Sequence, residues 1–245
     1  MKVTQQLVAE FIGTLALVFI GAGSVVVLTP LMGSAAIFGI AFAHGLVLAI
    51  FVSNLAFVSG AHFNPAVTIG VWVSGKIETP RALGYILVQL AGAAAGAALI
   101  AWAVPKELWS QTNLGTPALN AGLGITAGRG VIIEAILTFF LMFTIYAVAV
   151  DDRGVFKVVA GLTIGLVLTM DILMGGALTG AAMNPARAFG PALVSADWTD
   201  FWVYVAGPMI GAILAAGLYY LMLLRPSEAS TIASGEVEDV EHIAD

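Results

Sequence analysis

The residues best placed to do chemistry come in two copies of one short pattern. Residues 60–70 read Gly-Ala-His-Phe-Asn-Pro-Ala-Val-Thr-Ile-Gly, and residues 180–190 read Gly-Ala-Ala-Met-Asn-Pro-Ala-Arg-Ala-Phe-Gly. Each sets Asn-Pro-Ala (Asn64, Pro65, Ala66 and Asn184, Pro185, Ala186) in strongly apolar sequence. Asn is a favoured helix cap and Pro a favoured first helical residue, so the pattern predicts helices over 64–75 and 184–196. Both are too short to cross a bilayer, which takes about 20 residues. A short helix that starts inside a membrane turns unpaired N–H groups and the positive end of its dipole toward whatever lies ahead of it. Two of them in one chain predict a shared site at the membrane midplane.

The other chemically interesting residues are few. Arg187 is a charge inside an apolar half-helix, which is costly unless it is functional or paired; an interfacial anchor is the alternative. Glu10 and Glu134 interrupt apolar runs, and each fits either a proton relay or a structural hydrogen-bond acceptor. Asp171 either faces a vestibule or snorkels outward. The histidines His44, His62 and His242 are too scattered for a metal site. The absence of cysteine excludes disulfides, thiolate catalysis and cysteine metal sites. No nucleophile–base set stands out, so the sequence implies no enzyme, no cofactor and no nucleic-acid partner.

The positioning elements follow from composition. The 245 residues are 60% hydrophobic and 10% charged, with a mean hydropathy of +1.01, against roughly 25% charged in a soluble domain. An all-α, multi-pass membrane protein is expected. Apolar runs predict spans over 6–28, 35–57, 82–105, 129–150, 156–175 and 201–224, with connections at Thr29-Pro30 and Gly33-Ser34 and a long polar loop over 105–127. Glu10 within an apolar region that runs on to Leu28 argues against a cleavable signal. The net charge of −6 is concentrated in the tail, where Glu228, Glu236, Glu238, Asp239, Glu241 and Asp245 stand without any Lys or Arg. One channel-sized domain over 1–225 and an acidic, disordered cytoplasmic tail over 226–245 are therefore expected.

The chain also repeats itself. Asn184 follows Asn64 by 120 residues (184 − 64), and Glu134 follows Glu10 by 124 (134 − 10). Repeats over about 5–104 and 128–224 each hold three spans, an odd number, so the second must insert upside down. Inverted repeats place a shared site at their interface. Lys2, Lys76, Arg81, Arg153, Lys157 and Arg225 fall on one side and Lys106 and Arg129 on the other, which predicts both termini in the cytoplasm and a location in a cell (plasma or inner) membrane.

Ser59 to Thr68, Met183 to Pro191 and Ala9-Glu10-Phe11-Ile12-Gly13-Thr14 resemble the signatures of the major intrinsic proteins, the aquaporins and glycerol facilitators, over about residues 5–224. The resemblance implies six membrane helices plus two re-entrant half-helices, a homotetramer with a pore in every subunit, and Asn64 and Asn184 as donors to passing water. It places Arg187 at the outer constriction and, by family spacing, His44, Ile172 and Ala181 beside it. It gives Glu10 and Glu134 a structural role and puts His62 in the inner vestibule. The combination is most similar to plant vacuolar-type (tonoplast intrinsic) members. It departs from glycerol facilitators at Ala188 and Ala192, and from strict water channels at Ile172 and Val205. The expected function is a passive channel for water and small neutral solutes such as ammonia that excludes protons and ions. A glycerol or urea facilitator, and a transporter proton-coupled through Glu10, Glu134 or Asp171, are the alternatives. Because the chain has no thiol, mercurials are expected to leave water flux through reconstituted protein unchanged. Strong inhibition reversed by a thiol reductant would contradict this.

Overall fold

The computed structural model describes residues 1–154 and 157–224; the expected acidic tail at 226–245 lies outside the described residues. Among those residues the regular structure is helical. Helix α1 runs from Val3 to Met32 and contains a wider π-helical turn over Leu17–Ala22. It is followed by α2, Ala36–Ser59, α3, Pro65–Val73, and α4, Thr79–Ala103. Helix α5, Ala127–Ile145, is prolonged by a π-turn over Tyr146–Val150. Then come α6, Ala160–Thr179, α7, Pro185–Ser195, and α8, Val203–Tyr219, prolonged over Tyr220–Leu224.

Among the described residues, five apolar helical stretches are long enough to cross a membrane, and the first, Val3–Ser59, is 57 residues long. It supplies two spans, because the chain reverses at Gly33, whose φ of +56° and ψ of −132° suit glycine. Six spans and two half-helices, α3 and α7, result. Two boundaries differ from expectation. The first span does not stop at Thr29-Pro30: Pro30 lies in the last turn of α1, and the helix continues only two residues beyond it, to Met32. The fifth span is displaced toward the C-terminus and ends at Thr179 rather than near 175, where left-handed Gly180 caps it.

The half-helices are exchanged between the repeats. Ala66, Val67 and Val71 of α3 pack on Met142 and Tyr146 of the α5 segment and on Ala212, Ala215 and Ala216 of α8. Ala186 of α7 packs on Val18, Ala22 and Val26 of α1 and on Ala93, Ala97 and Ile100 of α4. Glycines make this closeness possible, as is common between membrane helices. A Cβ on Gly45 of α2 would lie 2.6 Å from the Gly165 carbonyl oxygen, and one on Gly165 of α6 would lie 2.3 Å from that of Gly45. The two positions are repeat-equivalent (165 − 45 = 120), so the helices cross on the pseudo-twofold axis. Within the repeats, Gly92 meets the Phe11 carbonyl oxygen at 2.4 Å and Gly211 that of Ala135 at 2.1 Å by the same measure. Large apolar side chains such as Phe38, Phe57, Leu87, Trp102 and Ile132 point outward, as a bilayer requires.

The turn after α5 is tied down as well. Asp151 accepts from Arg153 and from the Tyr219 hydroxyl, and Arg153 also donates to the Leu223 carbonyl. The Arg153 partnership holds the Asp151 carboxyl well below the usual carboxylate range.

Candidate functional site

The site begins at the two half-helix starts. Asn64 and Asn184 are both in extended conformation with Pro at the next position. The Asn64 side-chain oxygen accepts from the Ala66 N–H at 2.8 Å. That of Asn184 accepts from Ala186 at 3.0 Å and Arg187 at 3.2 Å. The amide nitrogens cross over: Asn64 Nδ2 donates to the Met183 carbonyl at 2.8 Å, and Asn184 Nδ2 donates to the Phe63 carbonyl at 2.9 Å. Each amide nitrogen has two hydrogens, so one joins the loops and one remains. Beyond the donation to passing water expected from the sequence, the structure commits one N–H of each amide to holding the halves together.

The loops before these caps are strained alike. Gly60, Ala61 and Phe63 have positive φ in the first repeat, and Gly180, Ala181 and Met183 in the second. A left-handed residue other than glycine costs about 1–2 kcal/mol. A buried carboxylate offsets this in both repeats. Glu10 of α1 accepts from the Ser59 hydroxyl at 2.7 Å, the His62 N–H at 2.9 Å, the Phe63 N–H at 2.7 Å and the Gln89 amide at 2.9 Å. Glu134 of α5 accepts from the Thr179 hydroxyl at 2.7 Å and the N–H groups of Ala182 at 3.0 Å and Met183 at 2.7 Å. Hydrogen bonds to a charged group contribute about 1.5–3 kcal/mol each, so three outweigh two strained residues. All of these partners are donors, the pattern of a structural acceptor rather than of a relay that passes protons on. Tyr85 and Tyr204 complete the repeats by donating to the carbonyls of Ser59 and Thr179, both at 2.8 Å.

Two cavities of about 330 Å³ each approach this region from opposite sides. The first is lined by His44, His62, Asn64 and Asn184 and opens past Leu168, Ile164 and Lys76. The second is lined by Ile172, Gly115, Thr116 and Ile37. Arg187 lines both, so the narrowing between them lies at its guanidinium. Gly180 lines the second cavity and Ala182 the first; Ala181 between them lines neither and is buried in the cluster with Leu137 and Ile172.

The polarity of this narrowing can be read from its bonds. His44 Nδ1 lies 2.9 Å from the Ile40 carbonyl, which only accepts, so Nδ1 carries the proton. Its Nε2 therefore accepts, and Arg187 Nε donates to it at 3.3 Å. Arg187 Nη1 donates to the Gly115 carbonyl at 2.8 Å. The guanidinium has five N–H groups, so three remain for the cavities. Gly21 of α1 leaves room for the imidazole, since a Cβ there would lie 2.6 Å from the His44 ring.

His62 lines the first cavity with its Nδ1 3.1 Å from the Thr68 hydroxyl. Asp171 corrects both alternatives given by the sequence. It is 1% exposed, so it does not snorkel, it lines neither of the two cavities, and its Oδ2 has no hydrogen-bond partner among the described residues. Sequence reasoning missed Ser59 and Thr179, Tyr85 and Tyr204, Gln89, Gly21 and Gly115. The first two pairs lie at repeat-equivalent positions and could have been found that way.

The family model for major intrinsic proteins matches residues 1–220. The chain belongs to the major intrinsic protein family. It is 42% identical over 217 residues to Aquaporin TIP4-4 of Zea mays, covering 86% of this chain and 83% of the relative. It is also 42% identical to Aquaporin TIP4-1 of Arabidopsis thaliana, covering 90% and 87%. A probable NIP-type aquaporin of Nicotiana alata is 38% identical, covering 90% and 78%. The X-ray structure of the aquaglyceroporin from Plasmodium falciparum superposes with a TM-score of 0.83 over 93% of this chain and all of that one, at 23% identity, and so shares the fold. This major intrinsic protein is an aquaporin-type water channel in a family of transport proteins rather than enzymes, and an integral multi-pass membrane protein.

The clamps predict a specific sensitivity. Glu134→Gln replaces one acceptor with an NH₂ that faces donors, and is expected to cost about 2 kcal/mol. The melting temperature of the purified protein in detergent checks this: it should fall, and an unchanged value would contradict the account.

Proposed function

We propose that this aquaporin passes water and ammonia as neutral molecules, conducts glycerol poorly and excludes protons and ions. The observation that carries the proposal is that Arg187 lines both cavities, with His44 beside it in the first and Ile172 in the second; Ala181 joins this filter by family spacing. Ile172 offers an apolar wall and Ala181 a small one, which favours a somewhat wider passage than a wall of polar or aromatic side chains. The proton on His44 Nδ1 leaves Nε2 as the acceptor. The remaining Arg187 N–H groups are suited to donate to a solute lone pair, of oxygen or nitrogen alike, and their charge repels ammonium and other cations. Ala188 stands where glycerol facilitators carry an Asp, which speaks against glycerol.

At the midplane, the spare hydrogens of Asn64 and Asn184 are both donors. A water held by two donors turns its own hydrogens away from the centre, and together with two opposed half-helix dipoles this opposes proton hopping. We further propose one channel domain over 1–225 built from repeats at about 5–104 and 128–224, a homotetramer, and both termini in the cytoplasm, from the bias of Lys and Arg. The TIP-type names of the relatives, a tonoplast class, speak against the cell membrane expected from sequence.

Vesicles loaded with a pH-sensitive dye and exposed to an ammonia gradient test the solute. The ammonia-to-water ratio should fall about threefold or more in the double variant His44→Phe, Ile172→His, a change of at least about 0.6 kcal/mol in barrier. Equal ratios in the variant and wild type would overturn the assignment.

A further inference from the structure

We propose that Asn113 and Asp197, outside the pore, form a latch that sets solute selectivity by fixing Arg187. The argument starts from the Gly115 carbonyl, 2.8 Å from Arg187 Nη1. It belongs to the loop between α4 and α5. That carbonyl faces inward because three consecutive residues, Asn113, Leu114 and Gly115, are left-handed, with φ of +45°, +57° and +74°. Leu rarely adopts this conformation, so something outside the segment must hold it.

Three contacts do. Asn113 Nδ2 donates to Asp197 Oδ2 at 2.7 Å. Leu114 is fully buried in the cluster of Val18, Ala22 and Val26 on α1. The Thr116 hydroxyl donates to the Asn113 carbonyl at 2.5 Å and lies 3.3 Å from the Ser195 hydroxyl. Asp197 is itself fixed, since its Oδ1 accepts from the Thr199 N–H at 3.1 Å. Hydrogen bonds from Thr199 and Asn113 hold its carboxyl below the ordinary range, so it is ionised at neutral pH.

The latch closes a ring. Arg187 sits in the first turn of α7, and Asp197 lies just past the end of the same helix. From Arg187 the ring runs along α7 to Asp197, across to Asn113, on to Gly115 and back to the guanidinium. A side-chain pair at the protein surface thus limits how far the guanidinium can move across the passage. Asn113 and Asp197 are positioning residues, because neither lines either of the two cavities.

The test uses charge reversal and exchange in full-length protein reconstituted into liposomes, with urea and water permeability measured on the same vesicles. Asn113→Asp sets two carboxylates face to face, breaks the charge-assisted bond and should raise the urea-to-water ratio about threefold or more. Asn113→Ala should move the ratio the same way, and it serves if the charged variant does not reconstitute. Asp197→Asn leaves one oxygen for two donors, Asn113 and the Thr199 N–H, and should move the ratio the same way. The exchange Asn113→Asp, Asp197→Asn restores the pair with donor and acceptor swapped and should return the ratio to wild type. Retained water flux reports that each variant is folded. An unchanged ratio in the Asn113 variants, or a raised ratio that the exchange fails to restore, would overturn the latch. The proposal rests on Arg187 acting at the constriction, so Arg187→Ala is run beside it. If that variant raises the ratio and the Asn113 variants do not, the latch falls alone. If Arg187→Ala leaves the ratio unchanged, the reading of Arg187 falls and takes the latch with it.

Discussion

Everything in this structure depends on satisfying two helix starts in the middle of an apolar slab. A helix that begins there leaves N–H groups with neither water nor a preceding turn to receive them. Proline removes one, and the Asn side-chain oxygens take the next: one in the first repeat, two in the second. The loops that deliver the caps have their own N–H groups, and Glu10 and Glu134 receive those. The same carboxylates hold strained backbone that would otherwise relax. Once both starts are satisfied and facing each other, the Asn amides have little choice but to donate to the opposite loop's carbonyl.

That arrangement explains the packing around it. The half-helices meet tip to tip only if each enters the other repeat's bundle, and α3 against α5 and α8, with α7 against α1 and α4, does so. The axis that relates the halves passes where α2 and α6 cross, and there Gly45 and Gly165 press against each other's backbone. Small residues in this chain are the means by which eight helices converge on one passage, beyond the dispersion energy of close packing itself.

Some of this was legible in the sequence and some was not, for identifiable reasons. The half-helices were placed within two residues, because Asn-Pro is a strong local signal that needs no tertiary context. The repeat, and from it the inversion, followed from counting apolar runs. The end of α1 was misjudged because Pro30 reads as a breaker by itself, whereas the helix runs two residues past it before Gly33 turns the chain. The crossed amide bonds were invisible because Asn64 and Met183 are 119 residues apart and only the fold brings them together. Gly115 contributes a backbone carbonyl, which every residue has, so no residue type could have marked it. Asp171 remains a buried carboxyl whose unpartnered oxygen the fold does not explain.

The central claim is that opposed half-helix ends and a donor-only midpoint admit a file of water while breaking the path for protons. The most direct measurement takes osmotic water flux and pH-gradient-driven proton flux on the same proteoliposomes. The account predicts water flux well above that of empty vesicles, with a low activation energy, and proton flux equal to that of empty vesicles. A proton conductance comparable to the water flux would contradict it.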